Sequence, residues 1–251
     1  MYTISVGFQK GGVGKTSLAL ALSAYLKRSG KRVLVVDLDS QGNTTDTLRG
    51  SKEGVTITDV LNGTVTAKEA IIPANVDLIA GNIRLNTESP VSQGDFTALK
   101  KALSPLQRKY DFCIIDINPA MGLLMTNALV ASDGVLIPLQ ADMFSIDDLG
   151  LFLETVAGVK SNLNKKLSAL GVVVNAYESR GVLNQKALEL IEKKAGEHHV
   201  KVFPPVRKAI VVKEAQALRE PDIFAYAPSS SKVLQDYKVI FDELLEVINN
   251  G

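Results

Sequence analysis

Residues 9–16 read Gln-Lys-Gly-Gly-Val-Gly-Lys-Thr, between an apolar, β-branched run at residues 3–8 and a helical pattern that begins at residue 15. Strand, glycine-rich turn and helix in that order suit the binding of a phosphorylated ligand. Glycines let successive backbone N–H groups converge on an anion without Cβ clashes, and the helix that follows adds the positive end of its dipole. Lys15 is then placed to reach the outer phosphates and the Thr16 hydroxyl to ligate Mg²⁺. The strict form of this motif asks for glycine at position 9. Here Gln9 stands there, followed by Lys10-Gly11-Gly12. Gly11, Gly12, Val13, Gly14, Lys15, Thr16 and Ser17 are therefore read as the nucleotide-binding segment. A glycine-rich turn with two solvated lysines is the plainer alternative.

Outward from this loop, apolar runs recur at residues 32–36, 76–80, 111–115, 134–139 and 170–174, with helical patterns at 15–29, 95–109, 121–131, 146–162 and 183–195. Most of the runs are continuous rather than alternating, as strands buried on both faces of a parallel sheet require. The pattern predicts an α/β fold with a doubly wound, mostly parallel sheet flanked by helices. No repeat or Pro/Ser-rich linker divides the chain, so residues 1–251 are expected to form a single domain. Residues 40–75 read as loop with one or two short helices, and residues 232–249 as a packed terminal helix. The 251 residues are 46% hydrophobic and 22% charged with a net charge of +1, which argues against a disordered chain. One cysteine, Cys113, permits neither an internal disulfide nor a cysteine-rich metal set and is expected in the core. Without a run near the roughly 20 apolar residues of a membrane span, and with no signal-peptide pattern at the start, the chain reads as cytoplasmic.

Three further stretches accompany the loop: Val35-Val36-Asp37-Leu38-Asp39-Ser40-Gln41-Gly42-Asn43 after the second run, Ile114-Ile115-Asp116 at the end of a later one, and Ile137-Pro138-Leu139-Gln140-Ala141-Asp142 before a helix. Together with Val212-Lys213-Glu214-Ala215-Gln216 and Tyr226-Ala227-Pro228, they make nearly the whole chain resemble the ParA/MinD group of P-loop NTPases with a deviant Walker A motif, most closely its ParA/Soj partitioning branch. The resemblance implies an ATPase using ATP and Mg²⁺. It also implies catalytic roles for Lys10, Lys15 and Asp39, with Asp39 positioning the attacking water. Thr16, Asp37 and Asp116 would serve the metal, Asp37 lying nearer the magnesium shell and Asp116 holding the ion through water. Lys10 would reach across a nucleotide-sandwiched homodimer to the partner's ATP. Asn175 and Pro205 match the places that contact the base. A cap on the next turn is the plainer alternative for either aspartate, and it suits Asp37 better than Asp39. Where the family has a Cys-Pro-Pro type turn after the aspartate, this chain has Ile117-Asn118-Pro119-Ala120, which leaves the loop's geometry open.

Charge is unevenly spread. Residues 156–213 hold eleven Lys/Arg against four Glu, a local charge of +7, so the remainder carries −6. Such a segment suits phosphate contacts on DNA without base reading, although surface lysines on amphipathic helices produce similar counts. The resemblance narrows the DNA-binding candidates to Arg207, Lys208, Lys213 and Arg219, with Lys232 following. The implied activity is a DNA-partitioning switch for plasmid or chromosome: an ATP-bound dimer on non-specific DNA, cytoplasmic and nucleoid-associated, released when a ParB-like adaptor stimulates hydrolysis. Because the chain starts at the ATPase strand, operator-specific repression through a preceding helix-turn-helix is not expected. A MinD-like membrane switch is the less favoured reading, since the tail from Asp236 carries Asp242, Glu243 and Glu246 against Lys238 alone. A cluster-bearing reductase would need more cysteines, and a small-molecule ATP-dependent enzyme would need a second substrate site. His198-His199 reads as a solvated turn, and Met121, Met125 and Met143 as packing residues.

Overall fold

A computed structural model describes residues 1–88, 90–120 and 122–250. Its seven strands are β1 (Tyr2–Val6), β2 (Val33–Leu38), β3 (Ile71–Ile72), β4 (Asp77–Ile79), β5 (Phe112–Ile117), β6 (Gly134–Gln140) and β7 (Ser168–Asn175). They form one sheet in the order β3-β4-β2-β5-β1-β6-β7, parallel throughout except for β3. The helices are α1 (Lys15–Arg28), α2 (Asn43–Arg49), α3 (Ile57–Leu61), α4 (Arg84–Thr87), α5 (Ala98–Leu103), α6 (Leu123–Ala131), α7 (Met143–Asn162), α8 (Val182–Glu197), α9 (Ile210–Ala217), α10 (Ile223–Tyr226) and α11 (Lys232–Asn250).

The continuous apolar runs are buried on both faces, as expected of them. Along β2, Leu34, Val36 and Leu38 pack into the core beneath α5, α6 and α7, whereas Val33 and Val35 pack into the opposite core with α1 and α11. Cys113 is fully buried on the first of these faces. The chain passes from β1 outward to β2 and later crosses back to place β6 on the other side of β1. That reversal opens a crevice at the C-terminal ends of the strands, which is where an open α/β sheet offers a ligand site. The loop at residues 7–14 leaves β1 there.

Several expectations are corrected. The helix read at residues 95–109 is only α5 followed by a 3₁₀ turn at Ser104–Leu106, because Pro105 has no N–H to continue the helix. α7 starts at Met143 rather than 146: the Asp142 side chain accepts from Ser145 N at 2.9 Å and caps it. Met125 packs in the core as read, but Met143 is 55% exposed, since that first turn projects beyond the sheet. Met121 lies outside the described residues. His199 has a left-handed backbone (φ 57°) in the turn after α8. The apolar face of α11 is occupied: Val233, Leu234, Tyr237, Ile240, Phe241 and Leu244 are buried in the second core. No helix among the described residues is long and apolar enough to cross a membrane.

Candidate functional site

The phosphate loop is braced from the far side of the sheet. Gly14, at the start of α1, has φ 89°, and a Cβ there would lie 2.8 Å from Asn175 Nδ2. Asn175, at the end of β7, donates that N–H to the Val13 carbonyl at 2.9 Å. Both the hand of the backbone and the neighbour therefore demand glycine. Lys15 is buried under the loop and donates to the Lys10 carbonyl at 2.7 Å. Burial draws its pKa below the ordinary lysine value, against the pull of the Asp116 and Asp39 carboxylates. A cleft of about 850 Å³ opens over Gly11, Gly12, Lys15, Thr16 and Asp39.

β2 and β5 run side by side with Asp37 opposite Asp116, and both carboxylates are buried. Asp116 Oδ2 accepts from Thr16 Oγ1 at 2.8 Å and from Thr44 Oγ1 at 2.7 Å, while its Oδ1 is buried without a partner. An orphaned carboxylate oxygen beside a threonine hydroxyl and a phosphate loop fits a hydrated Mg²⁺ held by Thr16 and approached by Asp116. Asp37 is directed elsewhere. Its Oδ2 accepts from Thr45 N and Oγ1 at 2.8 and 2.6 Å, and its Oδ1 from Asp39 N at 3.1 Å. Thr45 Oγ1 in turn accepts from Gly81 N at 2.8 Å. A Cβ on Gly81 would stand 2.4 Å from the Asp37 carbonyl oxygen, so glycine is what lets the end of β4 close on β2. Asp37 thus ties α2 and β4 to β2, and Thr16 is joined to Asp116 alone.

Burial, then the facing Asp116 charge, raises the Asp37 pKa above the ordinary carboxylate range. Burial, reinforced by Asp39, raises that of Asp116 against the bonds from Thr44 and Thr16. A carboxyl whose folded pKa exceeds its unfolded value near ~3.9 contributes stability below that value and loses it as pH rises through the folded pKa. Without nucleotide, Asp116→Asn is accordingly expected to raise the melting temperature at pH 8 by about 2–4 °C, for a change on the order of 1 kcal/mol, and by less at pH 5. Thermal unfolding at the two pH values checks this. An equal loss at both would show that Asp116 is a net stabiliser.

Asp39 is buried at the cleft wall. Its Oδ1 accepts from Gln41 N at 2.9 Å and from Asn118 Nδ2 at 3.0 Å. Lys10 points away from its own cleft. Its ammonium donates to both Asp142 oxygens at 2.8 and 2.9 Å and to Ser145 Oγ at 3.3 Å, and lies 5.9 Å from the centre of the Phe144 ring. Burial pushes Asp142 up, but Lys10 and the Ser145 N–H and O–H outweigh it and leave its pKa below the usual carboxylate range.

Ser17 Oγ accepts from Gln216 Nε2, which pins α9 against α1. A smaller recess of about 120 Å³ beside Gly12–Gly14 is lined by Asn175, Val206, Val212 and Tyr237. Of the two base-contact candidates Asn175 faces it, while Pro205 precedes the lining residue Val206. The basic candidates are scattered and mostly paired. Arg207 holds Asp236 through two bonds of 2.6 and 2.7 Å, Lys208 holds Glu178 at 2.9 Å, and Arg219 holds Asp46 at 3.0 Å on the cleft wall. Lys213 lines the small recess, and Lys232 opens α11. Sequence reasoning did not single out Thr44, Asn118, Asp142 or Gln216 as site residues. Asn118, Asp142 and Gln216 lie in stretches that the family comparison of the sequence brings up, and Thr44 directly follows one.

Fold and site define a P-loop ATPase with a deviant Walker A loop. A family described as an AAA domain matches residues 1–169. The chain is 34% identical to the sporulation initiation inhibitor protein Soj of Bacillus subtilis, over 99% of this chain and 98% of that protein. It is 38% identical to the chromosome-partitioning ATPase Soj of Treponema pallidum, over 73% and 74% of the two chains. Among solved structures, the ADP- and magnesium-bound cobyrinic acid a,c-diamide synthase from Mycobacterium smegmatis superposes with a TM-score of 0.82 at 30% identity, covering 98% of this chain and 94% of that one. The chain belongs to the ParA/Soj-type ATPases.

Proposed function

We propose that this chain is a Mg-ATP-dependent partitioning switch: ATP drives homodimerisation, the dimer binds DNA without reading sequence, and a ParB-like adaptor stimulates hydrolysis and release. Its setting would be the cytoplasm, on the nucleoid while ATP is bound. The observation that carries this reading is Lys10. A phosphate loop already served by Lys15 has a second lysine whose ammonium rests on Asp142 and Ser145, outside its own cleft. A cation so placed is available to a second subunit's phosphates. Mg²⁺, when bound, would neutralise charge developing on the outer phosphates. Lys15 and the loop amides would hold the phosphates, Thr16 and Asp116 would hold the ion, and Asp39 would orient the attacking water. The occupied face of α11 leaves no apolar stripe there for a membrane surface, against the MinD-like alternative.

Lys208 and Glu178 are both about half exposed, and such a pair is worth at most ~1 kcal/mol, so Lys208 exchanges Glu178 for a phosphate easily. Arg207 is held on Asp236, which is itself only 12% exposed, and is a weaker candidate. Fluorescence anisotropy on two unrelated duplexes over a salt series tests the DNA step. ATP-bound protein is expected to bind both alike, and Lys208→Ala with Lys232→Ala to flatten the slope of log affinity against log salt by about 0.9 per lost contact. The likeness to an amide synthase favours a second reading, a small-molecule enzyme on the same fold. Equal DNA binding with ATP and ADP, or none, would favour it.

A further inference from the structure

We infer that Asn118 is a positioning residue for hydrolysis: its amide spans the loops after β2 and β5 and fixes the Asp39 carboxylate so that one oxygen is held and the other faces the cleft. The inference rests on the reading of Asp39 as the water-orienting group and deepens it.

The orientation of the Asn118 amide is set by its neighbours. Its Oδ1 accepts from Ala120 N at 2.8 Å, so Nδ2 must be the atom turned toward Asp39 and Ser40. The two N–H groups of Nδ2 then serve two acceptors, Asp39 Oδ1 at 3.0 Å and Ser40 Oγ at 3.0 Å. Ser40 is buried, and its Oγ also accepts from Asn86 Nδ2 at 2.9 Å, which ties α4 into the same knot. Asp39 Oδ1 has a second donor in Gln41 N at 2.9 Å. With Oδ1 held by two donors and the side chain lining the cleft, Oδ2 is the oxygen left to meet a water.

A carboxylate on the loop after a strand turns about two side-chain bonds unless it is held. Asp37 cannot help hold it, because its own oxygens accept from Thr45 and from the Asp39 backbone rather than from the Asp39 side chain. Gln41 N comes from Asp39's own loop and moves with it. Asn118 is the donor that reaches Asp39 from a different strand end, beside Asp116 on β5, and so references the water site to the metal site. Holding the group before reaction spares its reorganisation during reaction, and that advantage is expressed in turnover rather than in nucleotide affinity.

The test is steady-state phosphate release by the 251-residue chain with Mg-ATP, for Asn118→Ala, Asn118→Asp, Asp39→Ala and the double variant Asp39→Ala with Asn118→Ala. Asn118→Ala is expected to lower kcat about tenfold with KM for ATP and melting temperature nearly unchanged. Asn118→Asp keeps the size of the side chain but sets a second carboxylate against Asp39, and is expected to lose at least as much. In the Asp39→Ala background, where nothing remains to be positioned, Asn118→Ala should change kcat less than twofold. A kcat for Asn118→Ala within twofold of wild type, a loss in KM with kcat kept, or a full tenfold loss on top of Asp39→Ala would each overturn the inference. Wild-type turnover by Asp39→Ala itself would overturn the reading of Asp39, and this inference with it. A slow Asp39→Ala beside a fast Asn118→Ala would overturn the inference alone.

Discussion

Lys15→Ala is expected to weaken Mg-ATP binding by about 30- to 700-fold, the effect of removing one charge-assisted contact of ~2–4 kcal/mol from a partly buried site. The geometry explains why no neighbour can substitute. Lys10 is the next cation along the loop, but its ammonium is engaged by Asp142 and Ser145 outside the cleft, and Arg219, across the cleft, is engaged by Asp46. Lys15 is also the ammonium that acts on Asp116, lowering a carboxyl pKa that burial has raised. Its loss leaves Asp37, Asp39 and Asp116 less compensated where phosphates would have to sit. Titration of a fluorescent ATP analogue with Mg²⁺ into wild type and variant measures the difference. Equal affinities would remove the phosphate-loop assignment and everything built on it.

The parts of this molecule that were legible in the sequence are those written in neighbouring residues. Residues 32–36 and 111–115 announce buried parallel strands because both faces need apolar side chains, although β2 and β5 each run two residues further, and the loop at 9–16 announces itself because glycine spacing is a backbone requirement. A two-residue edge strand such as β3 carries no periodicity to detect, and α9 lies in a segment that resemblance marked but pattern did not. The site's long-range contacts were illegible for a different reason. Thr44 meets Asp116 across 72 residues, Asn118 meets Asp39 across 79, and Lys10 meets Asp142 across 132. Each is set by which strands become neighbours, and no local rule states that. The charge count over residues 156–213 shows the converse hazard. A surplus of lysine and arginine can be read from composition, but Asp236, the carboxylate that occupies Arg207, lies outside the counted segment.

Lys10→Ala is expected to leave monomeric ATP binding intact while abolishing ATP-dependent dimerisation and lowering turnover by on the order of 10²- to 10³-fold, the scale of losing a cation supplied to transferring phosphate. Magnitudes indicate why the resting contact does not prevent the working one. The Lys10–Asp142 pair is about one-third exposed on both sides, and pairs of that kind contribute ~0.2–1 kcal/mol. A contact to a phosphate enclosed between two subunits is worth ~1.5–3 kcal/mol, so the exchange is downhill once a partner presents its nucleotide. Asp142→Asn keeps the cap on α7 but loosens the resting contact, and is expected to let dimers form at ATP concentrations a few-fold lower. Mixing decides whether the lysine acts across the dimer. Lys10→Ala protein retains the nucleotide and Lys15→Ala protein retains Lys10, so a mixed dimer has one occupied site faced by an intact lysine. Neither variant should turn over ATP alone, and phosphate release should reappear when they are combined. Full activity of Lys10→Ala by itself, or silence of the mixture under conditions where size-exclusion shows mixed dimers, would place Lys10 outside the partner's site.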